Sequence, residues 1–324
     1  MGQPEALAAW RLYCCNWLVV GVMAAALIAG MALAGFTFAP ASTVAPFAIA
    51  GAYVGYSFYN YGHPRKRDPL VVFILGSTGQ ILLIPILMTP MTYVAAAANL
   101  PMQDVALHAI DRALGLHWTA YYNFVTAHHI LLVLSVWCYS IIGWPVFGVP
   151  IALGWTGRYS RLQIFTLAFA IALVVTTAIS AIVPAMGTYD LLKFLPDSDL
   201  FTPGAYIEQL RDLPLVRDGS LRHLHLSGLT GIVTFPSFHA AAAVLYIWAF
   251  WPVRWIGPLA AVVNVAMLLA TPVVGGHYFI DLFAGGAIAV GSIMSAQFIA
   301  QRIKHPHAAV AVPAAPALPD RTVA

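Results

Sequence analysis

Eight apolar runs, each close to the length that crosses a bilayer, dominate this chain. A spanning helix needs about 20 predominantly apolar residues. Runs of that kind lie near 14–38, 44–61, 70–95, 128–153, 161–184, 236–252, 255–274 and 278–300. The third and fourth contain prolines (Pro85 and Pro90; Pro145 and Pro150), which kink membrane helices without having to end them. The composition agrees: 61% of residues are hydrophobic and 8% are charged, with a mean hydropathy of +0.83, against roughly 25% charged in a soluble domain. The expected fold is an all-α polytopic membrane protein with about eight transmembrane helices. The first run is too long for a signal-peptide core of roughly 7–15 residues, so it reads as a retained helix, with cleavage near 32–35 as the lesser alternative.

Orientation follows from lysine and arginine placement. Eight spans put both termini on one side. That side collects Arg11, Arg65, Lys66, Arg67, Arg158, Arg161, Arg254, Arg302, Lys304 and Arg321, ten of the fifteen basic residues. The opposite side collects Arg112, Lys193, Arg211, Arg217 and Arg222, all in two long loops. The richer side is expected to be cytoplasmic. The net charge of +3 is spread thinly, and no basic run argues for nucleic acid. Cys14, Cys15 and Cys138 fall inside apolar runs and form neither a disulfide framework nor a zinc spacing.

The loop near 96–127 places Asp104, His108 and Asp111 at i, i+4, i+7, with Leu107, Ile110 and Leu114 on another face. This pattern reads as an interfacial amphipathic helix closed by Gly115, its polar face toward water or headgroups; a catalytic role for Asp104 or His108 is the weaker reading. The loop near 185–233 is the most polar stretch and holds His223-Leu224-His225. An H-x-H pair shares a face on a strand, but no further ligand set accompanies it, and no metal is expected. Residues 305–324, rich in Ala and Pro, read as a disordered cytoplasmic tail.

Chemistry concentrates at two helix mouths on the side opposite the basic one. In Gly275-Gly276-His277-Tyr278-Phe279-Ile280-Asp281, His277 and Asp281 are four apart and share a face if a helix opens there. A carboxylate one turn from a histidine accepts its ring N–H, fixes the tautomer and frees the other nitrogen to attack. The paired glycines let backbone approach a ligand, and amides at a helix start attract anions. In Phe235-Pro236-Ser237-Phe238-His239, the proline suits a first helical turn, and a serine and a second histidine follow it. Phosphoryl transfer gives each group a task. His277 attacks phosphorus and Asp281 steadies the imidazolium. His239 moves the proton of the departing or incoming oxygen. Ser237 and the amides around Gly275 and Gly276 hold the non-bridging oxygens.

These two strings resemble the second and third motifs of the type 2 phosphatidic acid phosphatase superfamily, Pro-Ser-x-His and His-x-x-x-Asp. The resemblance implies a six-helix core, here within a catalytic membrane domain at 63–304, preceded by two N-terminal helices in 1–62. The arginine that the family's phosphatases carry six residues before the third-motif histidine is Thr271 here, and the first motif, a lysine followed by Arg-Pro, has no match. The strings Gly231 to His239, His277 to Asp281 and Asp111 to Trp118 are similar to the inositol phosphorylceramide synthase branch and its bacterial relatives. That likeness implies a lipid phosphotransferase with a phosphohistidine intermediate and no cofactor, in a bacterial inner membrane with its site on the extracytoplasmic face. Its substrate would be a phospholipid or an isoprenoid or sphingolipid phosphate. Arg217, just before the second motif, is the candidate phosphate-binding cation; a loop salt bridge with Asp218 is the other reading. A lipid phosphate phosphatase of the same superfamily is the alternative, and a non-catalytic transporter the remote one.

Overall fold

The computed structural model describes residues 3–63, 68–194 and 204–304. Residues 305–324, the Arg65, Lys66 and Arg67 cluster, and Arg321 therefore lie outside the described residues. In chain order the described elements are α1 (Gln3–Ala34), β1 (Thr37–Phe38), α2 (Pro40–Gly62), α3 (Pro69–Ala96), α4 (Asp104–Ala113), α5 (Trp118–Ala127), α6 (His129–Ser140), α7 (Pro145–Trp155), α8 (Tyr159–Ile182), α9 (Thr188–Leu191), α10 (Gly204–Arg217), β2 (His223–Leu224), α11 (Phe238–Phe250), α12 (Ile256–Val274) and α13 (Phe279–Lys304). The chain is an all-α polytopic membrane protein.

Five of these helices, α1, α3, α8, α12 and α13, are long and apolar enough to cross a membrane. The pair α5–α6 passes the same test jointly but is bent by 108°. The sequence reading of eight spans differs in three places. The 44–61 run becomes α2, which at 23 residues has the length but carries Ser, Thr, Tyr and Asn along it. The 128–153 run is interrupted by a 3₁₀ turn at Ile141–Gly143 between α6 and α7, just before Pro145. The 236–252 run becomes α11 with only 13 residues, about 20 Å of helix at 1.5 Å per residue.

The centre of the bundle is α3 packed on α8, with α1, α2 and α7 around one side and α11 and α13 on the other. Where α1, α3 and α8 meet, buried polar side chains bond from helix to helix. Asn16 Nδ2 donates to Gln163 Oε1 at 3.0 Å, and Gln163 Nε2 donates to Ser77 Oγ at 2.8 Å. In an apolar environment such interhelical bonds add to close packing and fix register. The α11–α13 contact is closer still. A Cβ on Gly285 would lie 2.2 Å from the carbonyl oxygen of Ser237, so only glycine lets the two backbones meet there. That contact sets the depth at which the start of α11 faces the start of α13.

The polar loops fold back over this end of the bundle. β1 and β2 pair in parallel, Thr37 opposite His223 and Phe38 opposite Leu224, tying the α1–α2 connection to the 185–233 loop. His223 Nδ1 is hydrogen-bonded to Thr37 Oγ1 at 2.8 Å. Among the described residues, no group of three or more His, Cys, Asp or Glu is placed to hold a metal ion.

Candidate active site

Each catalytic candidate is placed by a helix start. Ser237 is the N-cap of α11, its Oγ accepting from the Ala240 amide at 3.4 Å. Capping of this kind satisfies one of the free amides that open a helix. Pro236 therefore precedes the cap, not the first turn expected from the sequence, and His239 falls in the opening turn of α11. His277 lies in the short connection between α12 and α13, and Asp281 in the first turn of α13. The helix thus starts two residues later than His277, yet the i, i+4 contact forms. His277 Nδ1 is 3.0 Å from Asp281 Oδ2. The Ser237 amide also donates to the Asp281 carbonyl at 3.1 Å, joining the two motifs through backbone.

An ionised Asp281 only accepts, so the proton of this pair sits on His277 Nδ1 and the Nε2 lone pair is free. That nitrogen faces Ser237 Oγ at 3.5 Å. His277 is 4% exposed, and Ser237 and Asp281 are both 0% exposed, so the histidine–carboxylate pair is shielded from bulk water. His239, half-buried, stacks face to face on Tyr139 of α6, with ring centroids 3.8 Å apart and planes 10° apart. The Tyr139 hydroxyl and the His277 ring border the same point: a Cβ on Gly275 would sit 2.7 Å from the former and 2.6 Å from His277 Cδ2. Both histidines, Ser237, Asp281 and Gly275 are thereby gathered at one place. Gly276 has φ +65°, the left-handed region, and packs against Tyr189, which a side chain there would strike.

The anion-binding amides differ from expectation. The Phe279 and Ile280 amides that open α13 donate to Asp111 at 2.7 and 2.8 Å. The Tyr278 amide donates to Asp281 Oδ2 at 2.9 Å, and the Gly275 amide to the Thr271 carbonyl at 3.0 Å. The positive end of α13 is therefore occupied by carboxylates of the chain itself, and Gly275 contributes room rather than a free N–H. Thr271, at the position of the family arginine, returns its hydroxyl to the Met267 carbonyl.

Asp111 and Asp104 correct the reading of α4. The helix forms and is closed by Gly115 at φ +76°, but its acidic face turns inward. Asp111 is 1% and Asp104 8% exposed, while Ile110 and Leu114 are exposed. Asp104 accepts from the Met186 and Gly187 amides and from the Tyr278 hydroxyl, the shortest of these at 2.8 Å. Buried carboxylates are retained where several donors meet them. Burial pushes the Asp111 carboxyl above its ordinary pKa, and the two amide bonds pull against that shift.

Arg217 is not brought to this site. It ends α10, its Nη2 donates to the Leu100 carbonyl at 2.9 Å, and it makes no hydrogen bond with His239, Ser237, His277 or Asp281. Asp218 is bound to Ser220 instead of Arg217. Tyr139 is the residue at the site that sequence reasoning missed, since an aromatic within Trp137-Cys138-Tyr139 is indistinguishable from lipid-facing filler.

The PAP2 superfamily model matches residues 105–295, more than half of the chain. The chain belongs to the PAP2 superfamily. Its members are phosphatases or phosphotransferases, and the matched span runs from α4 into α13, covering both histidine motifs and Asp111 of α4. Neither the curated proteins nor the solved structures gave a match.

Proposed function

We propose that this PAP2 protein is a lipid phosphotransferase of the inositol phosphorylceramide synthase kind, working through a phosphohistidine on His277 at the extracytoplasmic face. The observation that carries the reading is the 3.0 Å His277–Asp281 contact, which leaves Nε2 as the free nucleophile beside Ser237 at the buried mouth of α11. In the first half-reaction Nε2 attacks phosphorus, the bond to the leaving lipid oxygen breaks, and His239 protonates that oxygen. Asp281 balances the positive charge gained by the His277 ring. In the second half-reaction His239 takes the proton of the acceptor hydroxyl, whose oxygen attacks phosphorus and frees His277.

Two features favour an alcohol acceptor over water. The nucleophile is almost fully shielded, so a phosphohistidine formed there meets little bulk water. No Lys or Arg side chain among the described residues is hydrogen-bonded to Ser237, His239, His277 or Asp281, which suits a phosphodiester headgroup with one negative charge better than a monoester with two. The lipid phosphate phosphatase reading shares the first half-reaction and differs only in the acceptor. The extracytoplasmic placement rests on the ten-to-five distribution of Lys and Arg.

Purified protein incubated with a panel of phospholipids and lipid phosphates, with and without lipid alcohols, tests both readings. The transferase makes new phospholipid only when a lipid alcohol is present. Phosphate release that ignores the alcohol selects the phosphatase. Alkaline-quench labelling should find phosphate on His277 and none in His277→Ala. His239→Ala should lose roughly 10²–10⁴-fold with a lipid leaving group and recover part of that with an aryl phosphate, whose leaving oxygen needs little protonation. Label on His239 instead would reverse the two roles.

A further inference from the structure

Tyr139 packs at the edge of the cluster around Trp118 and Val273, and from there it reaches both histidines. Its ring lies flat on His239 at 3.8 Å. Its hydroxyl reaches past that ring to Gly275, close enough that no Cβ fits between hydroxyl and backbone. The same point is bounded on its other side by His277 Cδ2. Four tyrosines around the bundle spend their hydroxyls on structure: Tyr121 on the Leu269 carbonyl, Tyr189 on Val273, Tyr246 on Ile142 and Tyr278 on Asp104. The Tyr139 hydroxyl has no hydrogen-bond partner among the described residues. It is an uncommitted donor at the one place where both histidines converge.

Several of the amides that a phosphate could use are already committed. Those of Gly275, Tyr278, Phe279 and Ile280 all have acceptors within the chain. A phosphoryl group on His277 Nε2 would thus meet Ser237 on one side and the Tyr139 hydroxyl on the other. We propose that Tyr139 is a catalytic residue, its hydroxyl donating to a non-bridging oxygen of the phosphoryl group held by His277 while its ring keeps His239 facing the bridging oxygen. This assignment rests on the phosphohistidine reading of the same site. It separates two functions within one side chain, and substitution can take them apart.

Tyr139→Phe keeps the ring and deletes the donor; Tyr139→Leu deletes both. Loss of one preorganised donor at a developing oxyanion costs about 10²–10³-fold in kcat. Tyr139→Phe is expected to fall by about that factor with a lipid substrate and an aryl phosphate alike, because non-bridging charge develops whatever the leaving group. Inhibition by orthovanadate, a stand-in for the five-coordinate phosphoryl group, should weaken about tenfold or more in the same variant, whereas its thermal midpoint should match wild type because no protein hydrogen bond is lost. Tyr139→Leu should add a leaving-group dependence, losing more with the lipid than with the aryl phosphate as His239 is released. His277→Ala is run in parallel. Wild-type turnover and vanadate inhibition in Tyr139→Phe beside an inactive His277→Ala would overturn the role of Tyr139 and leave the phosphohistidine standing. Turnover surviving in His277→Ala would overturn both.

Discussion

Gly275→Ala isolates the geometry of the nucleophile from its chemistry. The added Cβ would stand 2.6 Å from His277 Cδ2, 2.7 Å from the Tyr139 hydroxyl and 3.0 Å from the Thr271 carbonyl. Carbon atoms pack at about 3.5–4.0 Å, so the imidazole has to retreat by about 1 Å. The Thr271 carbonyl belongs to the last turn of α12 and accepts the Gly275 amide, so the backbone side cannot yield as readily. Retreat of the ring stretches the 3.0 Å bond to Asp281 and turns Nε2 off its line of attack. A misplacement of about 1 Å can cost about 10²-fold, equivalent to about 2.7 kcal/mol of barrier. Pre-steady-state labelling of His277 with radioactive substrate, followed by alkaline quench, measures the step directly. The rate of phosphohistidine formation should fall about 100-fold, with the protein still folded and extracted as wild type. A labelling rate within about threefold of wild type would refute the argument that the glycine holds space for the imidazole.

Two further substitutions test how the site is built. Asp111→Ala leaves the part-buried Phe279 and Ile280 amides without their acceptor; at about 1–3 kcal/mol for each unsatisfied group, chemical denaturation in mixed micelles should show a loss of about 2–6 kcal/mol, and Asp111→Asn, which keeps an acceptor oxygen, should lose clearly less. Equal losses in the two variants would mean that the amide bonds are not what Asp111 contributes. Gly285→Ala drives a Cβ into the Ser237 carbonyl and should part α11 from α13 at a cost of about 1–3 kcal/mol, lowering both the denaturation midpoint and turnover; an unchanged midpoint would contradict the close backbone approach.

The grouping of the site residues was more legible than the architecture that carries them. His277, Asp281, Ser237 and His239 stand at four-residue and two-residue spacings within short strings, so sequence distance already approximates spatial distance. Membrane helices were legible as apolar runs, but hydropathy does not register a 3₁₀ turn, and it joined α6 and α7 across Ile141–Gly143 into one span. Arg217 was proposed from its nearness in sequence to the second motif, yet its Nη2 donates to the Leu100 carbonyl in the connection between α3 and α4. Tyr139 is about a hundred residues from His239, and no local pattern announces a stacking partner across that distance.

The inward turn of α4 shows why an amphipathic pattern alone does not choose the direction of a helix face. Asp104, His108 and Asp111 form a polar stripe, and water or headgroups would accept it. The competing destination is a set of backbone amides that the bundle cannot satisfy by itself: those of Met186 and Gly187 in the turn after α8, and those of Phe279 and Ile280 at the start of α13. A buried helix start without acceptors is costly, and a carboxylate meeting several amides is a strong acceptor. Of the opposite stripe, Leu107 stays buried beside Tyr278, and Ile110 and Leu114 lose little, because at a membrane interface an outward apolar face meets lipid rather than water. Both faces of α4 are thus satisfied only when the acids point in. In that position Asp111 holds the first turn of α13, and with it Asp281, while Asp104 holds the ring of Tyr278, the residue between His277 and α13. The His277–Asp281 pair owes its position to two carboxylates that make no hydrogen bond with it.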